Sequence, residues 1–380
     1  MRRCCRPEPQ ADHWLHSTPV ITGTAEANSA LVVVVGGATY NLTANGSGAW
    51  SLDTGSATPV AGSLNLGSDG AKSVAVTSTD AAGNATSGSG SITLDQTGPA
   101  VSALGVPANA TYLAGQHLDF SLTLDEAVIV NTAGGTPRLA ITLGSSTVYA
   151  DYLSGSGTTT LNFRYTVTPG DLDTDGIAVG TLQLNGGTLK DAVGNNMALT
   201  LNSVGATTGV RVDAVPPTAN LSTVTDNVGA ITGALASGAV TDDTSLVITG
   251  TCEAGSTVNV YNGSTLLGAA TVSGTGWSYT ATVADGVTYA FNAKETDAAG
   301  NVSAATSSVT VTGDTTAPAA PGLALGSGVG LAPSAGATSA EAQAGTGVVT
   351  VTGEAGAPIT VTLSDGTHTV TKTVTGNGAT

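Results

Sequence analysis

Apolar and polar residues alternate along most of the chain, in short segments separated by turn-forming residues. The alternation is clearest in SLVITGT at 245–251, TVNVYNG at 257–263, VVTVTGE at 348–354 and TLNFRYTVT at 160–168. A period of two with frequent Val and Thr predicts half-buried β-strands. Gly- and Asn-rich pieces such as NGSG at 45–48 separate the segments, as hairpin turns require. No amphipathic helix stands out, so the pattern predicts an all-β protein.

Three stretches of the chain repeat one another, and each begins with a strand-like segment. ITGTAEANSALVVVV from Ile21 matches ITGTCEAGSTVNVYN from Ile248, and VTVTGEAGAPITVTL from Val349 is a third copy. Trp50 and Trp277 occupy the same position in the first two copies. The third copy stops before its second segment, so we expect this chain to be a fragment of a longer repetitive protein.

An Asp followed four residues later by Pro marks three boundaries. The pairs are Asp95 and Pro99, Asp213 and Pro217, and Asp314 and Pro318. Each pair follows a strand-like segment, and Pro cannot donate to a β-ladder, so each pair ends one sheet. Several short strands in each resulting unit predict antiparallel β-sandwiches. The predicted domains are 18–97, 98–215, 216–317 and an incomplete 318–380, after an unassigned segment 1–17.

Composition and charge narrow the function classes. Hydrophobic residues make up 41% of the chain but aromatics only 4%, so the chain is able to fold, around thin cores. The net charge of −17 opposes binding to nucleic acid and to anionic lipids, and it favours cations. The sequence shows no motif of a serine hydrolase, a phosphate-binding loop or a dinucleotide-binding turn, and we expect no enzyme.

The Cys and His residues and the N-terminal segment give no further functional motif. Cys4, Cys5 and Cys252 form neither a disulfide framework nor a zinc spacing, and Cys252 replaces Ala25 of the first repeat as a small apolar residue. The segment 1–16 is basic but lacks the apolar core of a signal peptide. The four His residues are scattered, and no repeat carries one over. They are His13, His16, His117 and His368.

The stretch 241–321, with ITGTCEAGS and TDAAGN, resembles a bacterial Ig-like repeat of large, type I-secreted surface adhesins that support biofilm formation. Residues 18–97 resemble the same module, and residues 98–215 resemble a second Ig-like module type. The resemblance implies tandem Ig-like antiparallel β-sandwiches in an extended string, secreted to the bacterial cell surface. It implies neighbouring repeats of the same longer chain as partners, and a host or abiotic surface reached through other domains. Nucleic acid and membrane insertion are not expected.

The motif TDAAGN occurs at 79–84 and 296–301, and KDAVGNN at 190–196 is a looser copy. In an Ig-type sandwich this loop precedes the last strand, and a ten-residue strand spans about 33 Å. The loop and the Asp that ends its own domain therefore lie at opposite poles. Each loop should instead face the junction that precedes its domain.

This geometry predicts that oxygen atoms from two domains converge at each junction. Asp191 and Asn195 should face Asp95, and the loop at 297–301 should face Asp213. Clustered carboxylates repel one another unless a cation neutralises them, and Ca²⁺ accepts six to eight oxygen ligands. We predict that Ca²⁺ stiffens the string of domains. The predicted junction ligands are Asp80, Asn84, Asp95, Asp191, Asn195, Asp213, Asp226, Asp242, Asp243, Asp297, Asn301 and Asp314, with Asp226, Asp242 and Asp243 expected at the pole next to Asp213.

Two alternatives to these calcium sites remain open. The Asp-x-x-Gly-Asn loop also suits an Asx-type turn that binds nothing. DLDTDG at 171–176 copies the first half of an EF-hand loop, with Asp171, Asp173 and Asp175 as candidate Ca²⁺ ligands. Its twelfth position is Leu182 instead of Glu, so it is either a partial calcium loop or an acidic hairpin turn.

Two functions fit these observations. The first is a non-enzymatic structural stalk of a surface adhesin, which supports cell adhesion by projecting a distal binding domain. The second is a carbohydrate-binding or accessory Ig-like module of an extracellular hydrolase. The second needs an exposed aromatic platform, for which the chain offers Trp50, Trp277, Tyr279 and Tyr289.

Overall fold

A computed structural model describes residues 8–10, 18–229, 232–326, 348–364 and 366–378 of the protein. All regular structure in these residues is β-strand, which confirms the predicted all-β class. Within the same ranges, no helix could span a membrane. The chain divides into two units, Met1–Pro216 with Ala298–Asn301, and Pro217–Asp297 with Val302–Thr380.

The first sandwich of the first unit has two sheets. Its strands are β1 (Glu8–Gln10), β2 (Val20–Thr24), β3 (Ala30–Val35), β4 (Ala38–Thr43), β5 (Ala49–Asp53), β6 (Gly70–Thr79) and β7 (Ala85–Leu94). One sheet has the order β1-β2-β5 and the other β4-β3-β6-β7. In β3, the alternate residues Leu31, Val33 and Val35 are buried, as a period of two requires. They form the core together with Ile21 and Trp50.

The second sandwich of the first unit is larger. Its strands are β8 (Val101–Gly105), β9 (Ala110–Tyr112), β10 (His117–Asn131), β11 (Arg138–Leu143), β12 (Ser146–Ser154), β13 (Thr158–Thr166), β14 (Leu172–Asp173), β15 (Ala178–Gln183), β16 (Thr188–Lys190) and β17 (Val210–Asp213). One sheet has the order β15-β11-β12-β13-β10-β16, with β8 also on β10, and the other has the order β14-β17-β9. Phe120 and Phe163 lie opposite each other in its core.

The long strand β10 changes its partner along its length. Its first half pairs with β13 and its second half with β16, with an irregularity between Thr123 and Val128 that contains Glu126. Strand β16 ends at Lys190, directly before the loop that begins with Asp191. The irregular part of β10 therefore lies close to this loop.

The second unit contains a complete sandwich and two further strand pairs. The sandwich strands are β18 (Asn220–Asp226), β19 (Gly233–Ala234), β20 (Ala239–Thr241), β21 (Ser245–Thr251), β22 (Thr257–Asn262), β23 (Thr265–Ala269), β24 (Thr271–Ser273), β25 (Gly276–Thr282), β26 (Thr288–Thr296) and β27 (Val309–Gly313). The sheets have the orders β19-β18-β21-β25-β24 and β20-β27-β26-β22-β23. The pairs are β28 (Gly322–Leu325) with β29 (Val349–Thr352), and β30 (Pro358–Ser364) with β31 (Thr369–Thr375).

The sequence repeats fold in the same register. Ala30 of β3 lies opposite Thr79 of β6, and the matching residue Thr257 of β22 lies opposite Thr296 of β26. The two Trp residues of the repeats also have equivalent pairing partners. Trp277 lies opposite Gly250, and Trp50 lies opposite Gly23. The repeated sequence therefore specifies strand pairing as well as strand identity.

Candidate metal site at the first junction

The Asp-x-x-Gly-Asn loop of the second sandwich folds around its own Asp carboxylate. Asp191 Oδ1 accepts hydrogen bonds from the amides of Val193 at 2.9 Å, Gly194 at 2.6 Å and Asn195 at 2.8 Å. Asn195 Nδ2 donates to Asp191 Oδ2 at 2.7 Å. Gly194 has a φ of 99°, which residues other than glycine rarely adopt. These requirements explain why Asp, Gly and Asn recur at a fixed spacing.

The loop of the first sandwich is built in the same way. Asp80 Oδ1 accepts from the amides of Ala82 at 2.8 Å and Asn84 at 2.9 Å. Asn84 Nδ2 donates to Asp80 Oδ2 at 2.8 Å. Strand β7 separates this loop from Asp95, and its ten residues span about 33 Å. The fold of the loop thus needs no contact with Asp95.

At the first junction, the loop of the second sandwich lies against the linker that precedes it. Asn195 Nδ2 donates to the backbone oxygen of Asp95 at 3.2 Å and to that of Thr97 at 3.4 Å. A Cβ at the linker residue Gly98 would overlap the backbone oxygen of Asn196. The structure thus places the Asp191 loop beside Asp95, as strand length suggested.

Gly98→Ala is expected to push the linker away from this loop, because the atom that the new methyl group would overlap belongs to the backbone. We expect the amide hydrogens of residues 195–198 to exchange about tenfold faster than in the wild type. Hydrogen exchange with mass spectrometry measures this change. Gly46→Ala is the matched control, because a Cβ at Gly46 meets no atom within 4 Å. Equal exchange in both variants would contradict the tight contact.

Three carboxylates converge at this junction. Asp95, Glu126 and Asp191 each place one oxygen so that the three atoms lie within 4.8 Å of one another, with Asp191 buried and the other two half-buried. Among the described residues, no other three acidic, His or Cys side chains gather in this way. Burial, and then the charges of Asp95 and Asp191, raises the pKa of Glu126 above its usual range. Such a set of hard oxygen atoms suits Ca²⁺.

Glu126 was not predicted from the sequence. It lies in LDEAV at 124–128, a segment that the chain does not repeat. It comes close to Asp191 because the second half of β10 pairs with β16. Only knowledge of that pairing could have identified Glu126.

The side chain of Asn301 meets Asp213 in the same way that Asn195 meets Asp95. Asn301 belongs to the first of the two units of the chain. Its Nδ2 donates hydrogen bonds to the backbone oxygen of Asp213 at 3.1 Å and to Asp213 Oδ1 at 3.3 Å. Asp297 groups with the second unit. A role of Asp213, Asp297 and Asn301 in binding Ca²⁺ stays a prediction.

The prediction that placed Asp226, Asp242 and Asp243 at the pole where the chain enters the third sandwich, next to Asp213, is wrong. Strand β18 starts at Asn220 and ends at Asp226, so Asp226 lies about 20 Å from the entry end. Asp226 Oδ2 accepts from Thr241 Oγ1 at 2.6 Å, and the backbone oxygen of Thr241 accepts from the amide of Asp314 at 2.8 Å. These acidic residues therefore lie at the pole from which the chain leaves with Asp314.

The acidic segment 171–176 does not gather its carboxylates. Asp171 Oδ2 accepts from the hydroxyl of Tyr165 at 2.6 Å, whereas Asp173 accepts from the amides of Gly144 and Gly176, both at 2.7 Å. Asp175 is exposed. In the part of the chain that the structure describes, these three residues form no common group of ligands. Asp171 and Asp173 instead each fix a different piece of the chain.

Two further Asp residues hold the linkers, and both were missed in the sequence. Asp69 accepts from the amide of Gln96 at 2.9 Å and from the hydroxyl of Thr97. Asp285 accepts from the amide of Thr315 at 2.7 Å and from the hydroxyl of Thr316 at 2.8 Å. Each therefore binds the two residues that directly follow a junction Asp, and we call Asp69 and Asp285 the linker clamps.

The hydrogen bonds of the linker clamps should make the two linkers sensitive to acid. The hydrogen bond from Thr97 lowers the pKa of Asp69, and that from the Thr315 amide lowers the pKa of Asp285. Their contribution to stability is present above the unfolded pKa of about 4 and is lost as pH falls through the lower folded value. Exchange of the linker amides should therefore accelerate below about pH 4, after correction for intrinsic exchange. Asp69→Asn and Asp285→Asn should remove this dependence, and an unchanged profile would contradict the assignment.

The four candidate aromatic residues do not form an exposed platform. Trp50 and Trp277 are only 5% and 4% exposed, and each belongs to the core of its sandwich. Trp277 Nε1 donates to the backbone oxygen of Asn220 at 3.1 Å. Tyr279 and Tyr289 are half-buried, and the ring of Tyr289 stacks on that of Phe291 with centroids 5.4 Å apart. Neither Trp can stack on a sugar, so the carbohydrate-binding alternative loses its main support.

The comparison with protein families covers the third sandwich. Residues 218–315 match the family model of the bacterial Ig-like domain. This range includes all ten strands from β18 to β27. The search of the curated proteins gave no match.

Solved structures of three adhesion proteins are similar to this chain. A Ca²⁺-stabilised adhesin that helps an Antarctic bacterium bind ice has 19% identity and a TM-score of 0.32, over 98% of this chain and 90% of that one. A 1.5-MDa bacterial ice-binding adhesin has 17% identity and a TM-score of 0.31, over 82% and 99% of the two chains. A tetra-tandem repeat from the extending region of a large adhesion protein has 18% identity and a TM-score of 0.25, over 95% and 85%.

Proposed function

We propose that this chain is a non-enzymatic stretch of the stalk of a bacterial surface adhesin, in which Ca²⁺ fixes the angle between successive sandwiches. The stalk would hold a distal binding domain away from the cell surface and so support adhesion and biofilm formation. The observation that carries the proposal is the convergence of Asp95, Glu126 and Asp191 at the first junction. Two sandwiches contribute to it, and the linker between them is only a few residues long.

The charges at this junction favour a bound cation. Three carboxylates whose oxygens lie within 4.8 Å repel one another when all are ionised. Burial is the larger cause of the raised pKa of Glu126, and the charges of Asp95 and Asp191 add to it, because protonation relieves the repulsion. A divalent cation would relieve the repulsion at neutral pH, and calcium sites of extracellular modules commonly bind at about 10⁻⁴–10⁻³ M.

A cation at this position would connect parts of the chain that belong to different sandwiches. Asp95 ends the first sandwich, whereas Glu126 and Asp191 belong to the second. Without the cation, the hydrogen bonds of Asn195 to the linker remain. We infer that the cation converts a junction able to bend into one that transmits force.

The rest of the chain suits a spacer. The sandwiches are held by long ladders between strands distant in sequence, and such non-local folds form slowly. Residues 218–315 match the bacterial Ig-like domain, and neighbouring repeats of a longer chain would be the partners of this stretch. Location outside the cell is part of the proposal, since Ca²⁺ is abundant there.

Glu126→Gln is the variant that tests the site, because the hydrogen bonds that fold the Asp191 loop do not involve Glu126. We expect it to weaken Ca²⁺ binding at the first junction at least about tenfold, since it removes one of three ligand charges. Isothermal titration calorimetry of the full chain measures the affinity. Glu26→Gln is the matched control, because Glu26 is exposed and belongs to a distant turn.

Small-angle X-ray scattering tests the mechanical part of the same proposal. The maximum dimension of the wild type should increase with Ca²⁺, and Glu126→Gln should reduce that increase. If wild type and Glu126→Gln bind Ca²⁺ equally, the proposed site is wrong.

A further inference from the structure

A row of charged and polar side chains crosses the larger sheet of the second sandwich. Its members lie directly opposite one another on the neighbouring strands β15, β11, β12, β13 and β10, and they are Gln183, Arg138, Asp151, Arg164 and Asp119. The chain neighbours Leu139 and Phe163 are buried in the core, so the row lies on the outer face of the sheet. We call these five residues the charged row.

The charges of the row alternate in sign, and one of them has no partner. Arg164 binds Asp119 through two hydrogen bonds, from Nε to Oδ1 at 2.6 Å and from Nη2 to Oδ2 at 2.8 Å. The guanidinium carbon of Arg138 lies 3.7 Å from the centre of the Tyr149 ring. Asp151 is exposed, and among the described residues it forms no ion pair. The row therefore presents an unpaired carboxylate between two Arg residues.

The charged row is complementary to a second copy of itself. From β10 to β11, its charges are negative, positive, negative and positive. A twofold axis parallel to the strands, placed between β12 and β13, reverses this order in the second copy. Asp151 of one copy then faces Arg164 of the other, and Arg138 faces Asp119. Every charge meets an opposite charge across such an isologous interface.

We propose that the outer face of this sheet binds a second copy of the chain, with the charged row at the centre of the interface. Two sheets that pack face to face keep their strands nearly aligned, and a twofold axis along the strands provides this alignment. Asp151 gains Arg164 of the second copy as its ion-pair partner. This association needs neither Ca²⁺ nor the residues of the first junction.

The alternation of charge favours a second copy over a uniformly charged partner. Nucleic acid, an anionic lipid or an acidic polysaccharide would be repelled by Asp119 and Asp151 while it contacts the two Arg residues. The row is neutral, whereas the whole chain has a net charge of −17, so two chains meet less repulsion at this face than elsewhere. Arg and Tyr, which stack here as Arg138 and Tyr149, are also enriched at protein interfaces.

The size of the face limits the strength of the association. Strands β12 and β13 have 9 residues each, and strands about 4.8 Å apart give the face dimensions of about 20 Å by 30 Å. This area of about 600 Å² on each copy is smaller than the roughly 800 Å² of a standard interface. We therefore expect a weak, reversible dimer with a dissociation constant on the order of 10⁻⁵–10⁻⁴ M.

Two charge-reversal variants of the full chain test the proposal by sedimentation equilibrium in EDTA. Asp151→Arg and Arg164→Asp each place like charges opposite one another, so each variant alone should dimerise at least about tenfold more weakly than the wild type. An equimolar mixture of the two restores opposite charges, and its affinity should lie within about threefold of the wild type. Glu26→Arg is the matched control, because it changes the net charge as Asp151→Arg does, at an exposed turn of the first sandwich. It should change the affinity less than about twofold.

Asp151→Asn covers the case in which a charge reversal disturbs the sheet. It removes a charge that has no ion-pair partner within the chain, so the melting temperature should stay the same while the dimer weakens about threefold or more. A wild type that stays monomeric at about 1 mM would overturn the proposal. Dimers that Asp151→Arg leaves intact would overturn it in favour of another surface, and a mixture that associates no better than the separate variants would contradict the twofold arrangement.

Discussion

Asp191→Ala is expected to destabilise the second sandwich by about 3 kcal/mol and to abolish the response of the first junction to Ca²⁺. The buried carboxylate accepts from three backbone amides and from the Asn195 side chain. Its removal leaves these donors without their acceptor, and such losses cost about 1–3 kcal/mol for each buried group. It also removes one of the three carboxylates at the candidate site.

Asp80→Ala is the matched control for Asp191→Ala. The Asp80 carboxylate likewise accepts from the amides of its own loop and from the Asn84 side chain, with two amides instead of three, but the loop lies at the pole of its sandwich away from Asp95. We expect Asp80→Ala to loosen its own loop and to leave the Ca²⁺ response of the first junction unchanged. Differential scanning calorimetry of both variants, with and without Ca²⁺, measures the difference. A Ca²⁺-dependent shift that survives in Asp191→Ala would show that the cation binds elsewhere.

Glu295→Gln is expected to stabilise the third sandwich by about 2 kcal/mol at neutral pH. Glu295 is fully buried on β26, and its Oε1 accepts from the amide of Glu253 at 2.6 Å. Its Oε2 and the buried hydroxyl of Ser256 have no hydrogen-bond partner among the described residues. The side-chain amide of Gln keeps an acceptor for the Glu253 amide and removes a charge that burial disfavours.

In the first sandwich, an uncharged residue at the position of Glu295 makes a hydrogen bond. Ser78 corresponds to Glu295 and Ser29 to Ser256, and the Ser78 hydroxyl donates to Ser29 Oγ at 2.8 Å. Urea unfolding, followed by hydrogen exchange of peptides from β26, measures the stability of Glu295→Gln. Glu253→Gln is the control, because that side chain is exposed. A loss of stability in Glu295→Gln would show that the buried charge has a favourable partner.

Strand positions followed directly from the sequence, because a half-buried strand requires alternation. Segments 245–251 and 257–262 are β21 and β22. The repeats also predicted that Trp50 and Trp277 are equivalent, and both lie opposite a Gly in the same register. The position of this loop in an Ig-type sandwich, together with strand length, was enough to place the Asp191 loop at the junction before its domain.

The remaining site residues depend on contacts that local sequence does not contain. Glu126 approaches Asp191 only because β10 changes its partner from β13 to β16. Asp226 lies at the far pole because β18 runs from the entry end of the sandwich to the other end, and the extent of this strand is not evident in its sequence. The linker clamps had a weak signal, since Asp69 and Asp285 both precede a Gly. In the sequence alone, Asp69 and Asp285 look like ordinary turn residues, because the linker residues to which they bind are distant in the chain.

Hydrogen exchange at the first junction tests the central claim most directly. Peptides that contain residues 95–99 and 191–197 report on the linker and its facing loop, and the loop at 80–84 is an internal control. We predict that Ca²⁺ slows exchange in both junction peptides of the wild type and leaves the control loop unchanged. At the same Ca²⁺ concentration, exchange in the junction peptides of Glu126→Gln should slow much less. Equal exchange of the wild-type junction with and without Ca²⁺ would contradict the account.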